Sequence, residues 1–259
     1  AEIPILVHQR ERSRYIARIM VMWTAMREEV LKIFPKSTGL PKDTAAYMKD
    51  VDDSYVKDAY NSLSIEGYRV STALIEKVRS GKWSPETDES DRNQYNAMAA
   101  RGYWQAFQAV KESVKKILNG ENAGKVTDDD HSTWFREMWA PGIAAGITKA
   151  ADLAGYRNMP VFIRRSLHTP PNVDAVRDLM PVLFELLAAE KEPAVRVVLG
   201  HFVFVYIHPY KDGNGRIGRF LMNAMMASGG YSWTVIPLER RDEYMAALEQ
   251  ASVGQDIRP

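Results

Sequence analysis

Cysteine is missing from the chain altogether. Its absence excludes a disulfide framework and thiolate metal sites, and it fits a reducing compartment, so cytoplasmic residence is the expectation. An excess of charge is missing too. The 34 Lys and Arg residues face 33 Asp and Glu, so no whole-protein field draws the chain to nucleic acid or to a membrane surface. Any anion binding must be local. Long hydrophobic runs are also lacking: the most apolar one, Val197 to Ile207, is too short to span a bilayer and is interrupted by Gly200 and His201. The first residues have neither the basic start nor the apolar core of a signal peptide, and without an initiator methionine they read as a trimmed end. Period-two alternation is nearly absent as well, which argues against a sheet-based fold.

What is present is helical periodicity. From Glu11 to Ile33, apolar residues at Ile16, Ile19, Met20, Trp23, Met26, Val30 and Ile33 recur three and four apart, as on one face of a helix. Further helices are expected from about Asp52 to Glu66, from Ser71, from Arg92 to Leu118, and from Thr127 to Trp139, the last with Thr127 as its cap. Four more follow: Val173 to Ala189, Ala194 to Ile207, Arg216 to Ala227 and Glu239 to Ala251. Between them, Tyr156 to Pro171 holds the β-formers Val161, Phe162 and Ile163 among prolines, the best hairpin candidate.

The stretch HPYKDGNGRIGRF, His208 to Phe220, contains the spacing G-x-G-x-x-G. A dinucleotide-binding reading needs a strand running straight into the glycines and further parallel strands, and the chain offers almost none. The other residues suggest a phosphate site. Backbone N–H groups of Gly213, Asn214 and Gly215 at a helix start form an anion nest backed by the helix dipole. Arg216 and Arg219, three apart on one helical face, can aim two guanidinium groups at polyphosphate oxygens. Asp212 is placed to ligate Mg²⁺ shared with those phosphates. His208 is the one group here that titrates near neutral pH and is the natural general base.

HPYKDGNGRIGR resembles the Fic-domain signature H-P-F-x-[D/E]-G-N-G-R-x-x-R, departing only at Tyr210. AGYRNMPVFI is similar to the family's G-x-Y-R stretch ahead of its flap. The resemblance covers at least Thr127 to Ala251. It implies an all-α fold, a helical bundle with a small β-hairpin flap and an N-terminal helical extension, divided as residues 1–118 and a catalytic core 119–259. It implies a protein adenylyltransferase: His208 deprotonates a Ser, Thr or Tyr hydroxyl of a target protein, which attacks the α-phosphorus of ATP. Asp212 would hold Mg²⁺, Arg216 and Arg219 would neutralise the leaving pyrophosphate, and Val161, Phe162 and Ile163 would align the target by strand addition. Tyr244, Leu248 and Ser252 would line the nucleoside pocket. Gly218 falls at a free position of the signature.

SLSIEG, Ser62 to Gly67, fits the family's inhibitory pattern [S/T]-x-x-x-E-[G/N]. By resemblance, a helix over about 52–67 would present Glu66 to Arg219, withdrawing that guanidinium from the γ-phosphate, with Ser62 in the same motif. Some relatives use this glutamate to remove AMP, so a de-AMPylase, or another nucleotide or phosphate transferase of this family, is the alternative. A nucleotide-binding module without transfer and an NAD-binding Rossmann enzyme are the remote ones. His131, His168 and His201 fit no zinc template, and Trp134, Phe135 and Met138 read as core. The expected partners are a protein substrate and ATP, with a homodimer left open.

Overall fold

The computed structural model describes residues 14–83, 94–153 and 155–259. Nine α-helices occur among them: α1 Arg14–Ile33, α2 Thr44–Ile65, α3 Thr72–Arg79, α4 Gln94–Leu118, α5 Ala123–Ala144, α6 Val173–Ala189, α7 Pro193–Ile207, α8 Asn214–Ala227 and α9 Arg241–Val253. Short polar residues start them. Asp43, Ser71, Asn122 and Asn172 each accept a backbone N–H of the first turn of α2, α3, α5 and α6. Pro193 opens α7, where its missing N–H costs nothing.

Three sequence expectations need correction. α5 begins at Ala123 rather than Thr127, because Asn122 caps it; the Thr127 hydroxyl instead donates to Ala123 O at 2.8 Å, buried inside the helix. α2 begins at Thr44, eight residues before the expected Asp52, since the Asp43 cap lies outside the apolar pattern. The hairpin is not formed: among the described residues there is no strand, and residues 161–163 run irregularly into a turn at Arg164 and Arg165. Among the described residues no second strand pairs with this segment, and β-forming residues without a partner make no ladder. The expected first residues of two helices, 11–13 and 92–93, lie outside the described residues.

α7 is the buried axis. It packs against α1, α6, α8 and α9, and its burial on most sides explains why its sequence is apolar almost all round. One continuous apolar core runs from Ile19 of α1 to Ala251 of α9, so the early helices share a core with the loop that follows α7. α2 crosses α4 and α8, which brings its C-terminal end over the N-terminal end of α8. Trp134, Phe135 and Met138 are core residues, as the sequence suggested.

The closest approach of α4 to α5 depends on Gly102, where a Cβ would lie 1.9 Å from the Met138 carbonyl oxygen. Backbone cannot yield as a side-chain tip can. Gly102→Ala is expected to lower stability by about 3 kcal/mol, read as a fall in the midpoint of thermal unfolding. A midpoint at or above that of the parent would contradict the packing.

Candidate functional site

Two helix ends face each other across the 208–213 loop. α7 ends at His208, whose φ of 54° is left-handed. The next residue is Pro209, which disfavours a right-handed helical conformation before it. Arg157 secures this strained turn: its Nε donates to His208 O at 2.8 Å, its Nη2 donates to Pro171 O, and its backbone N–H donates to Pro209 O at 2.8 Å. The loop closes through Asn214, whose side chain accepts from Tyr210 N–H and donates to Tyr210 O, each at 2.8 Å. Asn214 therefore builds the loop with its side chain, leaving only its N–H for a ligand. Tyr210 stacks flat on Phe135 at 3.8 Å between centroids.

Gly213, at φ 87°, turns the chain into α8, and a Cβ there would meet Met138 Cε at 2.6 Å. The first bond of the α8 ladder runs from Ile217 N–H to Gly213 O, so the N–H groups of Asn214, Gly215 and Arg216 precede it. That is the donor set of an anion nest. Asp212, with its side chain 58% exposed, stands beside it; its Oδ1 accepts from Gly213 N–H at 2.5 Å and lies 3.6 Å from Arg216 Nη2. Gly218 has a packing reason: a Cβ there would lie 3.0 Å from Val205 and 3.2 Å from His201 on α7.

Arg219 is buried and held by α2. Its Nε donates to Ser62 Oγ at 2.9 Å, and its Nη2 donates to Ser62 O at 3.0 Å and to Glu66 Oε1 at 2.7 Å. Burial pushes the Glu66 carboxyl up, but Arg219 and Arg216 outweigh it and hold the group below the usual carboxylate range. Burial alone would lower the Arg219 pKa; the Glu66 charge reverses this and raises it. Glu66 Oε1 also lies only 2.2 Å from where a Cβ on Gly215 would stand, so its carboxylate rests directly on the first turn of α8. Behind Arg219, buried Asp58 accepts from Tyr103 OH at 2.7 Å, and burial lifts its carboxyl to about 6.

His208 is pushed down to about 4, chiefly by burial. It is neutral at pH 7. With the proton on Nδ1, facing Val205 O at 3.3 Å, the lone pair of Nε2 is free. His201, also lowered by burial to about 4, shares a 2.8 Å hydrogen bond with Tyr244 OH. His168 Nε2 lies 2.8 Å from Tyr206 O, and His131 lies against Phe184. Among the described residues no group of three His, Asp or Glu side chains could hold a metal.

A cavity of ≈ 860 Å³ joins these parts. Glu66, His208, Asp212, Gly213, Asn214, Gly215 and Arg219 line one side, Tyr244, Leu248 and Ser252 of α9 another, and Phe162 and Ile163 its edge. Ser252 turns its hydroxyl back to Leu248 O at 2.7 Å. Ser62, Val161 and Arg216 lie outside the lining. Phe162 is 84% exposed, and Glu249 of α9 anchors the turn by accepting from Ser166 Oγ at 2.5 Å and from Leu167 N–H at 2.8 Å. Sequence reading missed the anchoring roles of Arg157 and Glu249 and the rings around Arg216. Only Arg157 had a signal, in the quoted GYR.

Residues 131–226 match the model of the Fic/DOC family. Protein adenylyltransferase Fic of Nematostella vectensis is 26% identical over 253 residues, spanning 96% of this chain and 55% of that protein. The like-named protein of Drosophila virilis is 38% identical over 226 residues, 86% of this chain and 43% of that one. The chain thus spans about half the length of these curated relatives. Among solved structures, Fic-1 from C. elegans superposes with a TM-score of 0.65 at 21% identity, covering 94% of this chain and 67% of that chain. A Fic domain containing signaling protein from Bacteroides thetaiotaomicron VPI-5482 gives 0.60 at 18%, covering 94% and 83%. The fold is the all-α Fic fold. No helix among the described residues is long and apolar enough to cross a membrane.

The Tyr210 hydroxyl is buried with no hydrogen-bond partner. An unsatisfied buried hydroxyl costs stability, while the ring does the packing. Tyr210→Phe is expected to leave the thermal midpoint unchanged or raise it, by about 1 kcal/mol; a clear fall would mean that the hydroxyl has a partner in solution.

Proposed function

We propose that this chain transfers AMP from ATP to a hydroxyl of a target protein and that Glu66 restrains the reaction. The observation that carries the reading is the placement of the Glu66 carboxylate: an anion already rests on the first turn of α8, 2.7 Å from Arg219. A site that binds a carboxylate there in the resting chain has the donors for a phosphate. The relatives named protein adenylyltransferase Fic supply the reaction class.

In the reaction, the target hydroxyl oxygen forms a bond to the α-phosphorus while the bond from that phosphorus to the α,β-bridging oxygen breaks. The hydroxyl proton passes to Nε2 of neutral His208, and pyrophosphate leaves with the electron pair. The N–H groups of Asn214, Gly215 and Arg216 hold phosphate oxygens, and Arg216 and Arg219 offset the charge of the departing pyrophosphate. Asp212 fits Mg²⁺, being a single exposed carboxylate beside a phosphate nest. Mg²⁺ held with a nucleotide takes one or two carboxylates, phosphate oxygens and waters rather than a full protein cage. When bound, the ion would neutralise phosphate charge. Tyr244, Leu248 and Ser252 offer the nucleoside a half-buried wall, and Phe162 and Ile163 lie where a target segment would approach.

A second reading keeps the site and reverses the substrate. Glu66 is ionised and faces the same cavity as His208, so it can orient a water against an AMP-modified protein. Release of AMP from a pre-modified target by the parent chain, absent in Glu66→Gly, would establish it. Equal release by both would remove Glu66 from that role.

For the forward reaction, Glu66→Gly incubated with Mg²⁺, labelled ATP and candidate targets is expected to transfer label far faster than the parent. Adding His208→Ala should lower the rate by about 10²-fold or more. The His208 pKa is depressed, so the base is lost only when pH falls towards about 4, and kcat/KM for the target should stay flat from pH 8 to 6. Equal labelling by Glu66→Gly with and without His208→Ala would sink the proposal.

A further inference from the structure

Arg216 is the strangest side chain in the site. It is 1% exposed, and its Nε and Nη2 have no hydrogen-bond partner. The nearest carboxylate, Asp212, is 3.6 Å away, and no other acid pairs with Arg216 among the described residues. A buried guanidinium so placed would be expensive, but two aromatic faces enclose it. Its Cζ lies 4.9 Å from the Tyr68 ring centroid and 5.1 Å from that of Trp139. A desolvated cation between two π faces gains what the missing carboxylate does not give, while the edge of the guanidinium stays free to donate. That edge faces the phosphate loop: a Cβ on Gly213 would lie 3.5 Å from Arg216 Nη2 and 3.4 Å from Trp139 Nε1, itself a buried donor with no partner.

Trp139 belongs to α5, but Tyr68 comes from the segment that restrains the site. Glu66, Gly67 and Tyr68 form the closing turn of α2: Gly67 N–H donates to Ser64 O at 2.9 Å and Tyr68 N–H to Leu63 O at 3.1 Å, with Gly67 at φ 90°. That turn points Glu66 at Arg219 and Tyr68 at Arg216. Tyr68 is then fixed from outside, stacked on Tyr95 at 5.1 Å, while Arg69 N–H donates to Asn96 Oδ1 at 2.9 Å.

We propose that Tyr68, with Trp139, is a positioning residue that holds Arg216 ready for the outer phosphates of the nucleotide. The inhibitory segment then has two opposed effects, withholding Arg219 through Glu66 and preparing Arg216 through Tyr68. Loss of the whole segment is not equivalent to loss of the glutamate. The inference rests on the proposed phosphate role of Arg216.

The test measures binding, in Glu66→Gly, of ATP with Mg²⁺ and separately of AMP, which lacks the phosphates Arg216 would meet. Adding Tyr68→Phe, which keeps the π face, should leave both affinities within about twofold. Adding Tyr68→Leu, which keeps bulk without the face, should weaken ATP about tenfold and leave AMP unchanged. Trp139→Leu should act in the same direction. Two results would overturn the inference while the proposed function stands: undiminished ATP affinity in Tyr68→Leu, or equal loss of ATP and AMP, which marks general loosening. If Glu66→Gly itself binds no ATP, the proposed function fails and this inference with it.

Discussion

The ion pair of Glu66 with Arg219 joins the two halves of the site. Removing two charges from water is costly, and attraction between them repays it only when the remaining donors are also satisfied. Here Ser62 accepts from Nε and through its carbonyl from Nη2, so one helical turn of α2 supplies three acceptors to a single guanidinium, of which Nη1 is left buried without a hydrogen-bond partner. α2 is tied down elsewhere as well: Arg241 Nε donates to Ile65 O at 2.9 Å and Leu238 N–H to Asn61 Oδ1 at 2.7 Å. The glutamate is delivered by a docked helix whose end is fixed, which makes the contact specific.

The nest itself is a product of helix termini. α8 needs its first N–H groups left free, and this requires the chain to arrive from the side, through left-handed residues at His208 and Gly213. Glycine adopts that conformation readily, whereas histidine does so at a cost. Arg157 offsets the cost by gripping the carbonyls of His208 and Pro209 region from a distant segment. A buried arginine spent on backbone oxygens looks wasteful as a stabiliser, yet it fixes the imidazole relative to the donors of α8. Catalysis by positioning depends on that kind of rigidity.

Much of this was legible because it is local. Helix periods, the turn at Glu66 and Gly67, and the whole 208–219 loop lie in short windows where residue type and backbone need coincide. Even Thr127 as a cap failed for a local reason, a better cap at Asn122, ahead of the point where the helical pattern strengthens. The hairpin failed because β-formers in a segment bounded by prolines have no partner strand, and propensity without pairing makes no ladder. Tyr68, Trp139 and Glu249 were invisible as site residues because their roles arise only when α2, α5, α8 and α9 meet. No spacing in the chain encodes that meeting.

In the proposed reaction Glu66 and a triphosphate compete for the same guanidinium, so the proposed restraint has a thermodynamic form. Whatever free energy Arg219 gains from Glu66 in the resting chain is subtracted from what it can give to phosphate, and the linkage is reciprocal: nucleotide that engages Arg219 must weaken the hold of α2 on α8. Arg216 makes no ion pair with Glu66 among the described residues, its partner being Asp212 at 3.6 Å. Its charge still helps to hold Glu66 ionised, so there is competition there too, weaker than at Arg219. Glu66 rests on the first turn of α8 as well as on Arg219, so a nucleotide approaching the N–H groups there meets the same carboxylate. In the proposed reaction the glutamate therefore opposes the placement of phosphates on both the first turn of α8 and Arg219.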